Sequence, residues 1–482
     1  MSIYRDASAH SLQPYRAALT GQGRAFEFAL SPFDHLDLPL WSVALIGNDG
    51  ALSDGFGYGA TLEAAQTSAW GECVEWHFAR EALRQIPRRI ASFDLLGESA
   101  LDPRTLCLHA GSQYLPSDER EWVPVTRWRD GAPFWAPIEF IAPRAADIAP
   151  GARAEDFLVI PITNGLGAGP DLAHAVAHGT LELLQRDGNN VSYRALDQGV
   201  RVELDDVRDP QTRQLLDFLE AQNIEVMVKV AALDFGLCNL YVVGYDRDLE
   251  RAFEPIALSA CGESVHPDRE WALGKALREW AMARARKVFN HGGLQRVRAA
   301  TPPGYLDAFG PAAMRSEDER ALREMRGWMK KSHGQFFDML RDPIFETRRT
   351  VRFSDLPQTP AADSASLLKL LQERLSAENL DIYFADFSPP GEGLKVVKAL
   401  VPGLEVETMT YERIGARNLK RLLERNSPLV GLGEKAGAKP IILPNGGAAW
   451  FDSAEKDRLM GALYPLYREP GRHVIGLLGE SD

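Results

Sequence analysis

The chain has little of what would place it in several common classes. Its four cysteines, Cys73, Cys107, Cys238 and Cys261, are scattered with no close pair. That excludes a disulfide framework and the paired spacing of a structural zinc site. No apolar run reaches the length of about 18 residues that a membrane helix needs. The segment from Met1 to Tyr15 has no charged-then-apolar order of a secretory signal. Together these absences predict a cytoplasmic protein without membrane contact. A surplus of positive charge is missing too: the formal net charge is −13. Nucleic-acid surfaces usually need a basic stripe, so no nucleic-acid partner is expected. A peptide with a neutral or basic leader remains compatible with that charge.

What is present is ordinary for a globular chain. At 482 residues, with 45% hydrophobic and 25% charged content, it has enough length for one large core or two smaller ones. Two segments stand out. One runs Gly57-Tyr58-Gly59-Ala60-Thr61-Leu62 and continues through Ser68 to Glu72 and Glu75. The other runs Thr163-Asn164-Gly165-Leu166-Gly167-Ala168-Gly169 and continues to Glu182, Arg186 and Asp187. In each, a glycine-rich turn is expected to feed a helix with acidic groups in its interior. Glu72 and Glu75, three residues apart, share a helix face. Carboxylates gathered in a cleft stay ionised when cations accompany them. Carboxylates, bound magnesium and phosphate therefore make a metal–nucleotide site the economical reading.

Periodicity predicts a strand over 40–46, a turn at Asn48-Asp49-Gly50 and a helix over 62–83. Further along it predicts a strand over 157–162, a helix over 172–191, strands over 225–231 and 238–245, and a helix over 268–288. Residues 411–426 and 450–463 read as helices. The stretch 292–353 is rich in Arg, Met and Glu; it reads as a solvated helical insertion or, functionally, as a docking surface. The mixture of elements gives an α/β (mixed α+β) class.

The two glycine–helix segments resemble the YcaO family. Its first block, Gly-Lys-Gly then Ser-x-Glu-x-Ala then Ser-Ala-x-x-Glu-x-x-Glu-Arg, is matched from Gly57 to Trp76. Its second, Ser-Asn-Gly-Leu-Ala-Ala-Gly then Gly-Leu-x-Glu-Leu-Ile-Glu-Arg-Asp, is matched from Thr163 to Asp187. A third block is similar to Ala276-Leu277-Arg278-Glu279 through Arg284. A fourth is similar to Val397-Lys398 and Val401-Pro402-Gly403-Leu404-Glu405, and Asp386 stands where the family has a strand-end aspartate. The resemblance implies an N-terminal extension (1–27), a YcaO-like domain (28–410, carrying the insertion 292–353) and a C-terminal helical extension (411–482). It implies a YcaO-type fold in which the two blocks form a nucleotide cleft.

The resemblance also implies ATP and Mg2+ as cofactors. Glu72, Glu75 and Glu182 would hold metal, and Ser68, Arg186 and Arg278 would contact phosphate. Asn164 and Arg284 would lie at the pocket. Read from the residues alone, each has a structural alternative. Arg186 can pair with Glu182 one turn away, Arg278 and Arg284 can form ion pairs, Asn164 can make an Asx turn, and Ser68 can bond to its own helix backbone. Four family positions have changed: Tyr58 replaces a lysine, Trp76 an arginine, Gln185 a glutamate and Met282 a glutamine. Each lost contact to a charged group weakens nucleotide binding by about 1.5–3 kcal/mol.

Family members phosphorylate a peptide-backbone amide oxygen with ATP. This gives azolines, thioamides or amidines in ribosomal peptide natural-product biosynthesis. The resemblance therefore implies a cyclodehydratase- or thioamidation-type enzyme acting on a precursor peptide. No residue stands out as a catalytic nucleophile. The chain begins almost at the family domain, which points to a separately encoded leader-binding partner, and a homo-oligomer is expected. The alternative reading is a nucleotide-poor homologue serving as a peptide-binding or scaffold subunit, or an amide-hydrolysing variant.

Overall fold

The computed structural model describes residues 11–149, 151, 156–191, 196–309, 318–391 and 393–479. Two compact units make up the chain, and both are discontinuous in sequence. Unit 1 comprises Met1–Cys73, Ser192–Pro360 and Met460–Asp482; unit 2 comprises Val74–Val191 and Ala361–Leu459. These units cut across the linear three-part division that the sequence suggests. The architecture is mixed α+β, as expected. Among the described residues no helix is long and apolar enough to cross a membrane, and none of the four cysteines is in a disulfide.

Unit 1 opens with an antiparallel sheet of β1 (Gly23–Ala29), β2 (Leu40–Gly47) and β3 (Leu52–Tyr58). The turn expected at Asn48-Asp49-Gly50 joins β2 to β3, and Gly50 takes φ +77° there, where only glycine is comfortable. A second sheet orders the strands Gly262–His266, Cys238–Asp246, Ile224–Ala232, Val200–Glu203 and Arg349–Arg352. Its last pair is parallel and the others antiparallel. The third motif helix, Arg269–His291, is capped by Asp268, whose side chain accepts the Glu270 and Trp271 N–H groups. It buries Leu273, Leu277, Trp280 and Phe289 in the two cores of this unit.

The stretch 292–353 differs from the solvated insertion that its charge suggests. Its helices Glu319–Trp328 and His333–Leu340 bury Met325, Trp328, Phe336 and Leu340 in the same core as Phe26 and Phe28 of β1. The described charged residues of this stretch are exposed or half-buried, and its apolar side chains pack into unit 1's interior. Residues 310–317 lie outside the described residues.

Unit 2 is built on an antiparallel sheet with the order Arg89–Ser92, Glu119–Arg127, Tyr383–Asp386, Lys395–Leu400 and Leu166–Gly169; Pro133–Pro137 also pairs with Glu119–Arg127. The second motif helix, Leu172–Asn189, is capped by Asp171. No strand forms over 157–162. Pro161 has no amide to donate, and the Ile162 carbonyl accepts from the Lys398 side chain instead of a ladder partner (2.5 Å). The helix expected over 411–426 shortens to Ala416–Glu424, and 450–463 divides into a strand Ala449–Phe451 and a helix Ser453–Met460.

Candidate functional site

The candidate residues fall in both units, and the first motif helix, Leu62–Leu83, passes from one to the other between Cys73 and Val74. In unit 1 the glycine segment is strand over Gly57 and Tyr58, and residues 59–61 bend from it into the helix. Gly55 and Gly57 lie in β3 with ordinary φ. A Cβ on Gly57 would collide with the Ala65 carbonyl, and one on Gly55 with the Ala69 carbonyl. These glycines let the helix backbone lie directly on the strand. That close approach carries Glu72 to β3, where its Oε2 accepts the Phe56 N–H at 2.6 Å.

Glu72 is partly buried. Burial, followed by the nearby Asp54, pushes its carboxyl up from 4.5 to about 7, against the Phe56 N–H, Arg286 and Arg472, which favour the charged form. Arg286 and Arg472 do not offset the burial of Glu72. Tyr58, in place of a lysine, donates its hydroxyl to Glu279 Oε2 at 2.8 Å. Burial and the charges of Glu279 and Glu72 raise this phenol well above its usual value, while Arg278 opposes them. Tyr58 is therefore a neutral donor, and Tyr58, Glu72, Arg278 and Glu279 share one neighbourhood. Ser68 precedes Glu72 by one turn on the same helix face.

Arg284 departs from the role expected of it. Its side chain is 0% exposed, with Nε 2.8 Å from Asp34 Oδ2 and Nη2 2.9 Å from Asp246 Oδ2. This guanidinium closes a buried ion triad and is not presented to a ligand. Met282 is likewise internal, 3% exposed among Tyr241, Ile256 and Leu258. The loss of glutamine there strengthens a core.

In unit 2 the second glycine segment is a true turn. Leu166 N–H closes onto the Thr163 carbonyl at 3.0 Å, with Gly165 at φ +92°, a geometry that calls for glycine at the third position. The Gly165 N–H donates to Glu182 Oε2 and the Ala168 N–H to Glu75 Oε1, both at 2.8 Å. Arg186 Nη2 lies 3.8 Å from Glu182 Oε1, the i,i+4 pair anticipated from spacing. Asn164 donates to Glu407 Oε1 at 3.1 Å. Lys398, 1% exposed, is pushed down to about 7 by burial, with Glu182 acting in the opposite direction. Trp76, in place of an arginine, carries the Arg144 guanidinium 5.0 Å from its ring centroid. Gln185 is 7% exposed. Asp187 anchors the fold: it accepts the Glu405 N–H at 2.8 Å and pairs with Arg421 at 2.7 Å and Arg417 at 3.3 Å. Asp386 is exposed at its strand end and accepts the Ser388 N–H.

The three expected metal carboxylates thus share one device: a backbone N–H from a glycine segment orients each of them. Among the described residues no three His, Cys, Asp or Glu side chains converge into a metal cage. Carboxylate oxygen is the ligand type that Mg2+ takes, and the ion is usually held by one or two carboxylates together with substrate phosphates. Sequence reasoning missed Glu279, although it stands inside the third block beside Arg278. It also missed Asp54, Arg286 and Arg472, for which no local spacing gives a signal.

Comparison with known proteins bears on this arrangement. Residues 56–405 match the model of the YcaO cyclodehydratase family, described as ATP- and Mg2+-binding. An uncharacterized protein of Methanothermobacter thermautotrophicus is 26% identical over 395 residues, covering 80% of this chain and 91% of that one. The fold is similar to that of YcaO from Methanopyrus kandleri bound with AMPPCP and Mg2+ (TM-score 0.56, 19% identity, 84% of this chain and 92% of that one). It is similar too to a heterocyclase in complex with substrate and cofactor (TM-score 0.57, 17% identity, 83% of this chain), of which it spans about half, 53%. The matched residues contain all three backbone-held glutamates, and the chain belongs to the YcaO family.

Proposed function

We propose that this chain is an ATP- and Mg2+-dependent enzyme that modifies a backbone amide of a ribosomally made precursor peptide, by cyclodehydration, thioamidation or amidine formation. The observation that carries the reading is the set of Glu72, Glu75 and Glu182, each oriented by one backbone N–H from a glycine segment. Preorganised carboxylates of this kind are what a bound magnesium–polyphosphate needs. When bound, Mg-ATP would supply a phosphoryl group that turns a poor leaving oxygen into a good one. The chain's own residues would do the positioning. Glu72, Glu75 and Glu182 would hold metal, and Arg278, Arg186 and Ser68 would meet phosphate oxygens. Asn164 would hold the turn through Glu407. Donors aimed at developing charge lower the barrier because they need no reorganisation.

In this reading the attacking group is supplied by the peptide or by a second substrate. A separately encoded leader-binding partner and a homo-oligomer belong to the same reading. The nucleotide-poor alternative rests on Tyr58 and Trp76 alone, since Met282 is a core residue and Gln185 is buried.

Two measurements test the proposal. Calorimetric titration should show Mg-ATP binding that a Glu72→Gln, Glu75→Gln double variant loses; unchanged affinity in that variant would sink the assignment. A precursor peptide labelled with heavy oxygen at the backbone amide should pass the label into released phosphate. Product formed without nucleotide consumption would instead make the chemistry ATP-independent.

A further inference from the structure

In unit 1, where Tyr58 stands at the family's lysine position, the positive charges acting on Glu72 come from guanidinium groups outside the motifs. Two of these lie against the ring of Phe56, the residue whose N–H holds Glu72: Arg472 at 4.3 Å and Arg286 at 5.8 Å from the ring centroid. They differ in what else they do. The Arg472 side chain is 6% exposed and closes an ion pair with Asp54; it also donates to the Tyr305 hydroxyl at 3.2 Å. Arg284, two residues earlier on the helix, is wholly enclosed by Asp34 and Asp246. Arg286 is 36% exposed, and its contact with Glu469 is 3.7 Å long, beyond hydrogen-bond reach. The close partner of Glu469 is His291 at 2.7 Å.

Helix geometry gives Arg286 a defined place. It follows Glu279 by seven residues, close to two turns, so the two share one face about 10 Å apart along the axis. β3 runs beside that face, with Tyr58 hydrogen-bonded to Glu279 and Phe56 against Arg286. A planar guanidinium resting on an aromatic ring has a fixed orientation and presents a fork of donors suited to phosphate oxygens.

We propose that Arg286 is a polyphosphate-binding residue of this protein, supplying the cation that Tyr58 removes from β3, with Arg472 holding the Phe56 ring on which it rests. The inference builds on the nucleotide reading above and adds a residue that the family motifs do not contain. It also explains how a neutral Tyr58 is tolerated: the charge stands two helical turns along from Glu279.

The test is calorimetric titration of the full chain with Mg-ATP. Arg286→Gln should weaken binding at least tenfold, the lower end for a lost charge-assisted contact, with the unfolding midpoint held near that of the unaltered protein. Adding Tyr58→Lys to Arg286→Gln should recover several-fold of the loss, because it returns a cation to the same wall; a purely structural role for Arg286 would give no such rescue. Arg286→Lys, which keeps the charge and loses the fork, should fall between the two and serves as the second variant if the glutamine form does not fold. Unaltered affinity in a folded Arg286→Gln or Arg286→Lys protein overturns the inference and leaves the nucleotide reading standing. Absence of Mg-ATP binding by the unaltered protein overturns both.

Discussion

Glu72 is a carboxylate whose burial outweighs the cations near it. Burial raises it to about 7 from 4.5, so the folded state binds its proton more tightly than the unfolded chain does. Stability from this group is present below about pH 4.5 and is lost as pH rises through 7. Every tenfold change in proton affinity between the two states corresponds to about 1.4 kcal/mol. Discounted for partial exposure, the loss should be on the order of 1–2 kcal/mol. Without nucleotide, unfolding midpoints of the unaltered protein should therefore fall relative to those of Glu72→Gln between pH 5 and pH 8. Parallel pH curves would show that Glu72 carries no excess proton. Arg284 makes the opposite kind of prediction. Replacing it with methionine takes the guanidinium from buried Asp34 and leaves Asp246 with His35, which should cost about 3–5 kcal/mol in denaturant unfolding. A loss under 1 kcal/mol would mean that the triad relaxes or hydrates.

Among the elements, the long helices were legible and their contacts were not. The helix over 62–83 matches Leu62–Leu83 and that over 172–191 ends two residues early at Asn189. A long helix carries its periodicity in its own sequence. The Arg284–Asp34 pair joins residues 250 apart, and no local pattern encodes such a contact. The same limit hid the core packing of the 292–353 stretch, whose partners in β1 lie far away in sequence. The bend at 59–61 that feeds the helix was legible, but Gly57 itself was misread as part of it, because glycine serves close approach as well as positive φ. Two substitutions separate these uses. Gly57→Ala collides with the Ala65 carbonyl and should destabilise by about 1–3 kcal/mol. Gly327→Ala, exposed in the helix Glu319–Trp328 with open space around it, should stabilise by up to about 1 kcal/mol. Chemical denaturation measures both, and equal effects at the two positions would refute the close-packing account of β3.

For the whole chain, the family motifs span residues from both units, whereas the last segment closes unit 1 alone. From Glu469 to His473 it returns to the third motif helix and β3. Burial alone would raise Glu469, but Lys287 and Arg286 hold it well below its usual value, and His291 bonds it directly. Arg472 pairs with Asp54, and His473, 1% exposed, donates its N–H to the Asn290 carbonyl at 2.8 Å. Removing residues 467–482 would leave Lys287 and His291 without these partners in the interior and half-buried Asp54 without Arg472. A stranded buried charge such as Lys287 costs several kcal/mol, against a total stability of about 5–15 kcal/mol for a typical domain. The shortened chain should therefore lose about 10 °C or more in unfolding midpoint, or show no cooperative transition for unit 1. Circular dichroism in the near ultraviolet reads this through Trp280 and Trp328, both buried in unit 1. If the segment only covered the surface, the truncated protein would keep its tryptophan signal and its midpoint. The ion pairs around Glu469 and Arg472 would then contribute no more than exposed pairs do, about 0–1 kcal/mol.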